Sequence, residues 1–166
     1  MEQQEILAEF TLPDVAAVKE FAHRIAPLLK VGDVLALDGA LGAGKTELCR
    51  AIIHGLGESG DVPSPTFNLV QVYDRITPVV WHMDLYRLDQ PEEAFELGME
   101  EAFHGAVSLI EWPAKLGPYL PPGFLTLRLE IISDGDPENM PRKLTVIGDR
   151  DWKSRLQKML QGVYMS

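Results

Sequence analysis

The chain has 166 residues, 46% of them hydrophobic and 24% charged, which supports one packed domain spanning 1–166 and argues against disorder. Its formal net charge of −10 argues against direct gripping of a nucleic-acid backbone, so any link to nucleic acid should run through a partner or a small local patch. A single cysteine, Cys49, excludes an intrachain disulfide and fits a reducing compartment. The opening MEQQEILAEF lacks the basic and apolar regions of a secretory signal, and no apolar run approaches the roughly 18 residues of a membrane span, so a soluble, cytoplasmic protein is expected.

In chain order, Ile6–Thr11 is read as a first strand. A helix follows, opened by Asp14, with Val15, Val18, Phe21, Ile25 and Leu29 at helical spacing and Gly32 as its stop near a C′ position. Val34–Leu37 is a short apolar run of the buried-strand kind, and a glycine loop, 39–44, follows it directly. Lys45–Leu56 reads as a helix, with Leu48, Ala51, Ile52 and Leu56 on one face and Gly57 at its end. Phe67–Tyr73 and Val79–Met83 are predicted strands, and Pro91 with Glu92 and Glu93 marks a helix start. Val107–Ile110 is another short apolar strand. Leu125, Leu127, Leu129 and Ile131 alternate with Thr126, Arg128 and Glu130, the period of a half-buried strand. Asp134–Pro137 is turn chemistry, Lys143–Ile147 a return strand, and a last helix runs from about Asp151 to Leu160. The pattern predicts a three-layer α/β domain of the P-loop NTPase kind, with a sheet partly parallel and partly antiparallel.

Gly39-Ala40-Leu41-Gly42-Ala43-Gly44-Lys45-Thr46 fits the phosphate-loop pattern GxxxxGK[ST], between a buried strand and an amphipathic helix as that motif requires. Its glycines let several backbone N–H groups point into one concavity, where they and the positive end of the next helix hold phosphate oxygens. Lys45 is expected to reach the β and γ phosphates of ATP, and the Thr46 hydroxyl to coordinate Mg²⁺. A phosphate loop alone does not name a reaction.

Two acids stand where buried strands emerge. Asp84 follows Val79–Met83, and Glu111 follows Val107–Ile110. Open α/β sheets place ligands at such ends, where a carboxylate can bind Mg²⁺ directly, bind it through water or act as a base. Each could equally be a helix cap or a surface acid. Between them and the phosphate loop lies Ser64-Pro65-Thr66-Phe67, stiffened by Pro63 and Pro65. Thr66 offers a hydroxyl that a γ-phosphate or its metal could order, as in switch loops, or it sits in an ordinary turn.

His82 and Asp84, two apart on a strand, face the same way, but no third ligand for a zinc site is evident. Cys49 reads as a small buried residue, and His23, His54 and His104 as surface positions. Arg87 suits a structural ion pair or a partner contact. Trp81 and Trp112 suit a core.

Taken together, GALGAGKT (39–46), SPTFNLVQVY (64–73), HMDLYRL (82–88), ELG (96–98) and LIEW (109–112) occur in an order that resembles the TsaE family, formerly YjeE. These are the small bacterial ATPases needed to make threonylcarbamoyladenosine in tRNA. The resemblance covers about residues 5–150, and SPTF and HxDLYRL are more specific than the phosphate loop. It implies binding of ATP or ADP and slow ATP hydrolysis. It also implies work with the TsaB–TsaD pair, which transfers threonylcarbamoyl to the adenosine beside the anticodon, with TsaC earlier in the pathway. On this view tRNA is held by the partners, in keeping with the acidic chain.

Residue by residue, the resemblance makes Lys45 the phosphate-binding lysine and Thr46 and Glu111 the magnesium ligands. Asp84 becomes the acid that positions or activates water. Thr66 lies in the switch-like loop, and Trp112 is the aromatic beside the metal-binding Glu. Thr11 falls near the N-terminal segment bordering the nucleotide, and Arg142 is a candidate for the base pocket. Gly39, Leu41, Gly42, Ala43 and Gly44 complete the loop. Two positions depart from the family. Ala40 replaces a frequent Asp or Asn, and Glu47 a frequent Thr. Glu47 either weakens nucleotide affinity through its charge or points outward in the first helical turn, where an acid is favourable. The competing functions are a small-molecule kinase, which usually carries an arginine-rich lid that is absent here, and a docking module with incidental hydrolysis. A GTPase is disfavoured because no NKxD-like motif is present.

Overall fold

Seven strands form one sheet in the computed structural model, which describes residues 4–65, 69–132 and 140–160. In chain order the elements are β1 (Glu5–Leu12), α1 (Val15–Ile25), β2 (Val34–Gly39), α2 (Lys45–Gly55), β3 (Val70–Tyr73), β4 (Val80–Asp84), α3 (Glu93–Glu96), α4 (Met99–Gly105), β5 (Val107–Glu111), β6 (Leu125–Ile131), β7 (Arg142–Gly148) and α5 (Arg150–Leu160). Across the sheet the order is β1-β7-β6-β2-β5-β4-β3. The central strands β6, β2, β5 and β4 run parallel, whereas β1, β7 and β3 join antiparallel to their neighbours. This is the mixed three-layer architecture that the alternation of apolar runs predicts.

The two faces of the sheet carry different cores. Leu35 and Leu37 of β2, Leu109 of β5, Leu125, Leu127 and Leu129 of β6 and Val146 of β7 pack with α1, α2 and α5. Val34, Met83 and Ile110 face the other way and meet Met99 and Ala102 of α4 and Leu116. Period-two alternation along each strand divides its side chains between these layers. All of β5 and Val34–Leu37 of β2 are buried, as continuous apolar runs in a parallel sheet should be.

Local departures from the sequence reading have local causes. Helix α1 stops at Ile25, before Gly32, because Pro27 cannot donate the next helical hydrogen bond and the chain tightens into a 3₁₀ turn over Ala26–Leu28. Gly32 instead sits in a later turn with φ +95° and donates its N–H to the Ala106 carbonyl at 2.9 Å. The acidic start near Pro91 yields only the single turn α3, because Gly98 at φ +88° breaks the path before α4 begins. Strand β3 is described over Val70–Tyr73, and the expected start at Phe67 lies outside the described residues. Thr66, Phe67 and the turn Asp134–Pro137 lie outside the described residues.

The start of α1 illustrates the local code. Asp14 adopts extended backbone angles, and its Oδ1 accepts the Ala17 N–H at 2.9 Å, satisfying a donor that the first helical turn leaves open. Replacing Asp14 with Ala should destabilise the fold by about 1 kcal/mol, whereas Asp14→Asn should cost less than about 0.5 kcal/mol. Urea denaturation with unchanged slope checks this, and equal losses for the two variants would contradict the cap.

Candidate nucleotide and metal site

Parallel register assembles the site. Leu37 of β2 stands beside Glu111 of β5, and Glu111 stands beside Asp84 of β4. The carboxyl ends of three strands therefore reach one edge, and the loop 39–44 leaves β2 at that edge. Leu85 N–H donates to the Glu111 carbonyl at 3.2 Å and ties the two acidic strand ends together.

The loop conformation explains its glycines. Gly44, at φ +102°, turns the chain into α2, and a Cβ there would lie 2.4 Å from Nη1 of Arg142. Gly39, at φ +150°, has a backbone carbonyl only 2.6 Å from where its Cβ would be. Either side chain would strain the turn or drive into a buried neighbour. Helix α2 begins at Lys45, so its first N–H groups carry the positive end of the helix into the cleft.

Leu41, Gly42, Gly44, Lys45, Thr46, Glu47, Asp84, Glu111 and Trp112 line one cleft of about 250 Å³. Most of the sequence-derived candidates therefore converge, but Arg142, the base-pocket candidate, does not line this cleft, and there are further exceptions. Ala43 is buried beneath the loop, and Gly39 enters through its carbonyl, which accepts a hydrogen bond from Lys45. Thr11 is exposed on β1 opposite Lys143 and does not line the cleft. Thr66 falls outside the described residues.

Thr46 Oγ1 donates toward the Glu111 carboxylate, 2.8 Å from Oε1 and 3.0 Å from Oε2. Asp84, buried like Glu111, accepts the Tyr86 N–H at 3.1 Å and so is held against its own turn. Lys45 is 5% exposed. Its Nζ donates to the carbonyls of Gly39 and Ala40 and lies 3.7 Å from the centre of the Trp112 ring. Burial lowers its pKa from the usual lysine range, and Glu111, Asp38 and Asp84 oppose that shift. Trp112 holds its ring there from a left-handed backbone, φ 60° and ψ 54°, which is costly for a bulky residue and more so before Pro113. Tyr86 packs against the same ring at 4.9 Å.

Two arrangements were not legible in the sequence. Glu47 is half-buried rather than alone in solvent, and its Oε1 is 3.4 Å from Nη1 of buried Arg142 at the start of β7. Arg142 thus clamps the outer side of the loop, and its Nη2 is buried with no hydrogen-bond partner among the described residues. Cys49, His82 and Glu111 also meet: their ligating atoms lie within 4.8 Å of one another and all three residues are buried. The strand period paired His82 with Asp84, whereas the cluster joins His82 to Glu111 of the neighbouring strand and to Cys49 of α2 and leaves Asp84 out. Cys49 is fully buried as expected, and burial raises its thiol pKa well above the ordinary value. No helix among the described residues is long and apolar enough to cross a membrane.

A buried strand, a glycine loop closing on a helix N-terminus and two acids at neighbouring strand ends define an α/β protein of the P-loop NTPase class. The family model described as threonylcarbamoyl adenosine biosynthesis protein TsaE matches residues 12–140, and the chain belongs to the TsaE family. It is 45% identical over 117 residues to a tRNA threonylcarbamoyladenosine biosynthesis protein TsaE of Rickettsia felis, covering 70% of this chain and 68% of that one. A Bacillus subtilis protein of the same name is 37% identical over 133 residues, covering 80% and 81% of the two chains. The crystal structure of Bacillus subtilis YdiB superposes with a TM-score of 0.76 at 28% identity, covering 96% of this chain and 95% of that one.

The contact between Lys45 and Trp112 generates a prediction. A phosphate that draws Lys45 off the indole should change Trp112 emission, and Trp112→Phe should remove that change while Trp81 and Trp152 remain. A cation–π contact contributes about 0.5–2 kcal/mol, so the same variant should alter nucleotide affinity by less than roughly 30-fold. The wild-type minus variant emission difference, followed during an ADP titration, measures this. A difference that does not respond to nucleotide would contradict it.

Proposed function

We propose that this chain is an ATP-binding, slowly hydrolysing, magnesium-dependent ATPase that supports threonylcarbamoyladenosine formation in tRNA together with TsaB and TsaD. Membership of the TsaE family supports the pathway. The observation that carries the chemistry is the Thr46 hydroxyl set 2.8 Å from Glu111 at the first turn of α2.

A triphosphate seated on the α2 N-terminus would bring negative charge next to Glu111 and Asp84. Two unit charges 4 Å apart repel by about 4 kcal/mol at an effective dielectric near 20, so a cation must come with the nucleotide. Thr46 Oγ1 and the Glu111 carboxylate are adjacent hard oxygen donors, the kind that Mg²⁺ accepts alongside phosphate and water. These two residues would hold the ion, which when bound neutralises charge on the transferring phosphoryl group. Lys45, already desolvated, exchanges the Gly39 and Ala40 carbonyls for phosphate oxygens. Backbone N–H groups of the loop and of α2 orient the phosphates. Asp84, one strand from Glu111, orients a water or accepts its proton.

A cleft with one lysine among Glu47, Asp84 and Glu111 does not suit polynucleotide, so tRNA reaches the chemistry through the partner proteins. In this reading the chain's product is turnover of the partner complex.

Purified protein tests the reading directly. Lys45→Ala should lose nucleotide binding by at least about 100-fold, since a charge-assisted phosphate contact and its desolvated donor go together. Retained micromolar affinity would sink the claim. Asp84→Ala should keep ATP affinity but lower hydrolysis by at least about tenfold, the lower end of acid–base contributions. Unchanged turnover, alone and with the partners, would end that assignment.

A further inference from the structure

We propose that His82 is a positioning residue for Glu111: its Nε2–H fixes the carboxylate that holds the metal, an inference that rests on the metal reading above. His82 Nε2 is 2.7 Å from Glu111 Oε2, and the two side chains are 0% and 3% exposed. A carboxylate that accepts metal can only accept from His82, so the imidazole proton of this bond sits on Nε2. Nδ1 is buried and makes no hydrogen bond among the described residues, so the bond from Nε2 to Glu111 is the ring's recorded polar contact there.

The need for this second donor follows from the chemistry at Thr46. Without metal, Glu111 is satisfied from two elements, by Thr46 of α2 and by His82 of β4. When the Thr46 hydroxyl turns its lone pair to a cation, its proton no longer serves Glu111 in the same way. His82 then remains as the protein donor on the inner side of the carboxylate, away from the cleft. A buried carboxylate free to rotate would present its oxygens poorly and would lose a charge-assisted bond. His82 is reached from β4 two residues before Asp84, so one strand sets both the metal's carboxylate and the acid beside the water.

Cys49 stands close enough to suggest a Cys–His–Glu zinc site instead. The 2.7 Å gap between His82 and Glu111 opposes that, because two tetrahedral ligands at about 2.0–2.1 Å from zinc lie about 3.3 Å apart. That gap is a hydrogen bond with no space for an ion between.

The experiment compares Mg²⁺-ATP binding with metal-free ADP binding in wild type, His82→Leu and His82→Gln, with zinc content and thermal unfolding measured on each. Loss of an outer-shell donor typically weakens metal affinity by about 10–100-fold. His82→Leu should raise the Mg²⁺ concentration for half-maximal ATP binding by at least about tenfold while shifting metal-free ADP binding by less than about threefold. His82→Gln, whose amide N–H can reach Glu111, should recover most of the Mg²⁺ response. Equal losses with and without metal, or no rescue by Gln, would overturn the inference, as would one equivalent of zinc that His82→Gln releases. A wild-type protein whose ATP binding ignores Mg²⁺ would overturn the metal reading itself, and the inference with it. If His82→Leu does not fold, ¹⁵N NMR of wild-type imidazole decides the matter. An Nε2–H tautomer whose proton stays protected with Mg²⁺-ATP supports the role, and an Nδ1–H tautomer overturns it.

Discussion

Leu37, Glu111 and Asp84 lie on one rung across β2, β5 and β4, and the rest of the site is built from that rung. Parallel pairing requires all three strands to end at the same edge. Their apolar bodies bury on both faces and fix the register, since a slip by one residue would turn Glu111 and Asp84 to the opposite layer. The loop that leaves β2 must then turn over these acids before α2 can pack on the sheet. A concavity beside two carboxylates is the geometric result, and its turn relies on the positive-φ glycines at 39, 42 and 44.

Around this rung the structure balances charge in layers. Lys45 is buried against backbone carbonyls and the Trp112 ring, which keeps a cation in a low-dielectric place with acids nearby. Glu111 is bonded on the cleft side by Thr46 and on the inner side by His82. Arg142 braces the outside of the loop and is matched by Glu47. Most of these contacts are made to groups that a nucleotide and its cation would engage. Binding of the proposed nucleotide would therefore exchange partners more than create a site, with the cost of desolvating the charged groups already met during folding.

Much of this was legible before the structure. The phosphate loop follows from the GxxxxGK[ST] spacing at 39–46, and the two acids at strand ends and the mixed sheet follow from period-two and apolar-run patterns, which report burial directly. The stop of α1 at Pro27 was also written in the chain, but the helical spacing of Leu29 masked it. The pairings Glu47–Arg142 and His82–Glu111 were not legible, because they join residues 95 and 29 positions apart through strand order. No local pattern encodes that β7 lies beside β6 or that α2 packs on β2 and β5. Trp112 shows the limit most clearly. Its residue type suggested a core or a nucleotide contact, yet its place over Lys45 depends on a left-handed backbone before proline that sequence rules disfavour.

In the proposed function, nucleotide turnover in this cleft serves the turnover of a tRNA-modifying complex. Threonylcarbamoyladenosine formed per partner complex, measured in a mixture of TsaB, TsaC, TsaD, tRNA and ATP with and without this chain, tests it most directly. The account predicts product well beyond one equivalent only when the chain is present with Mg²⁺. Sustained multiple turnover in its absence would contradict it.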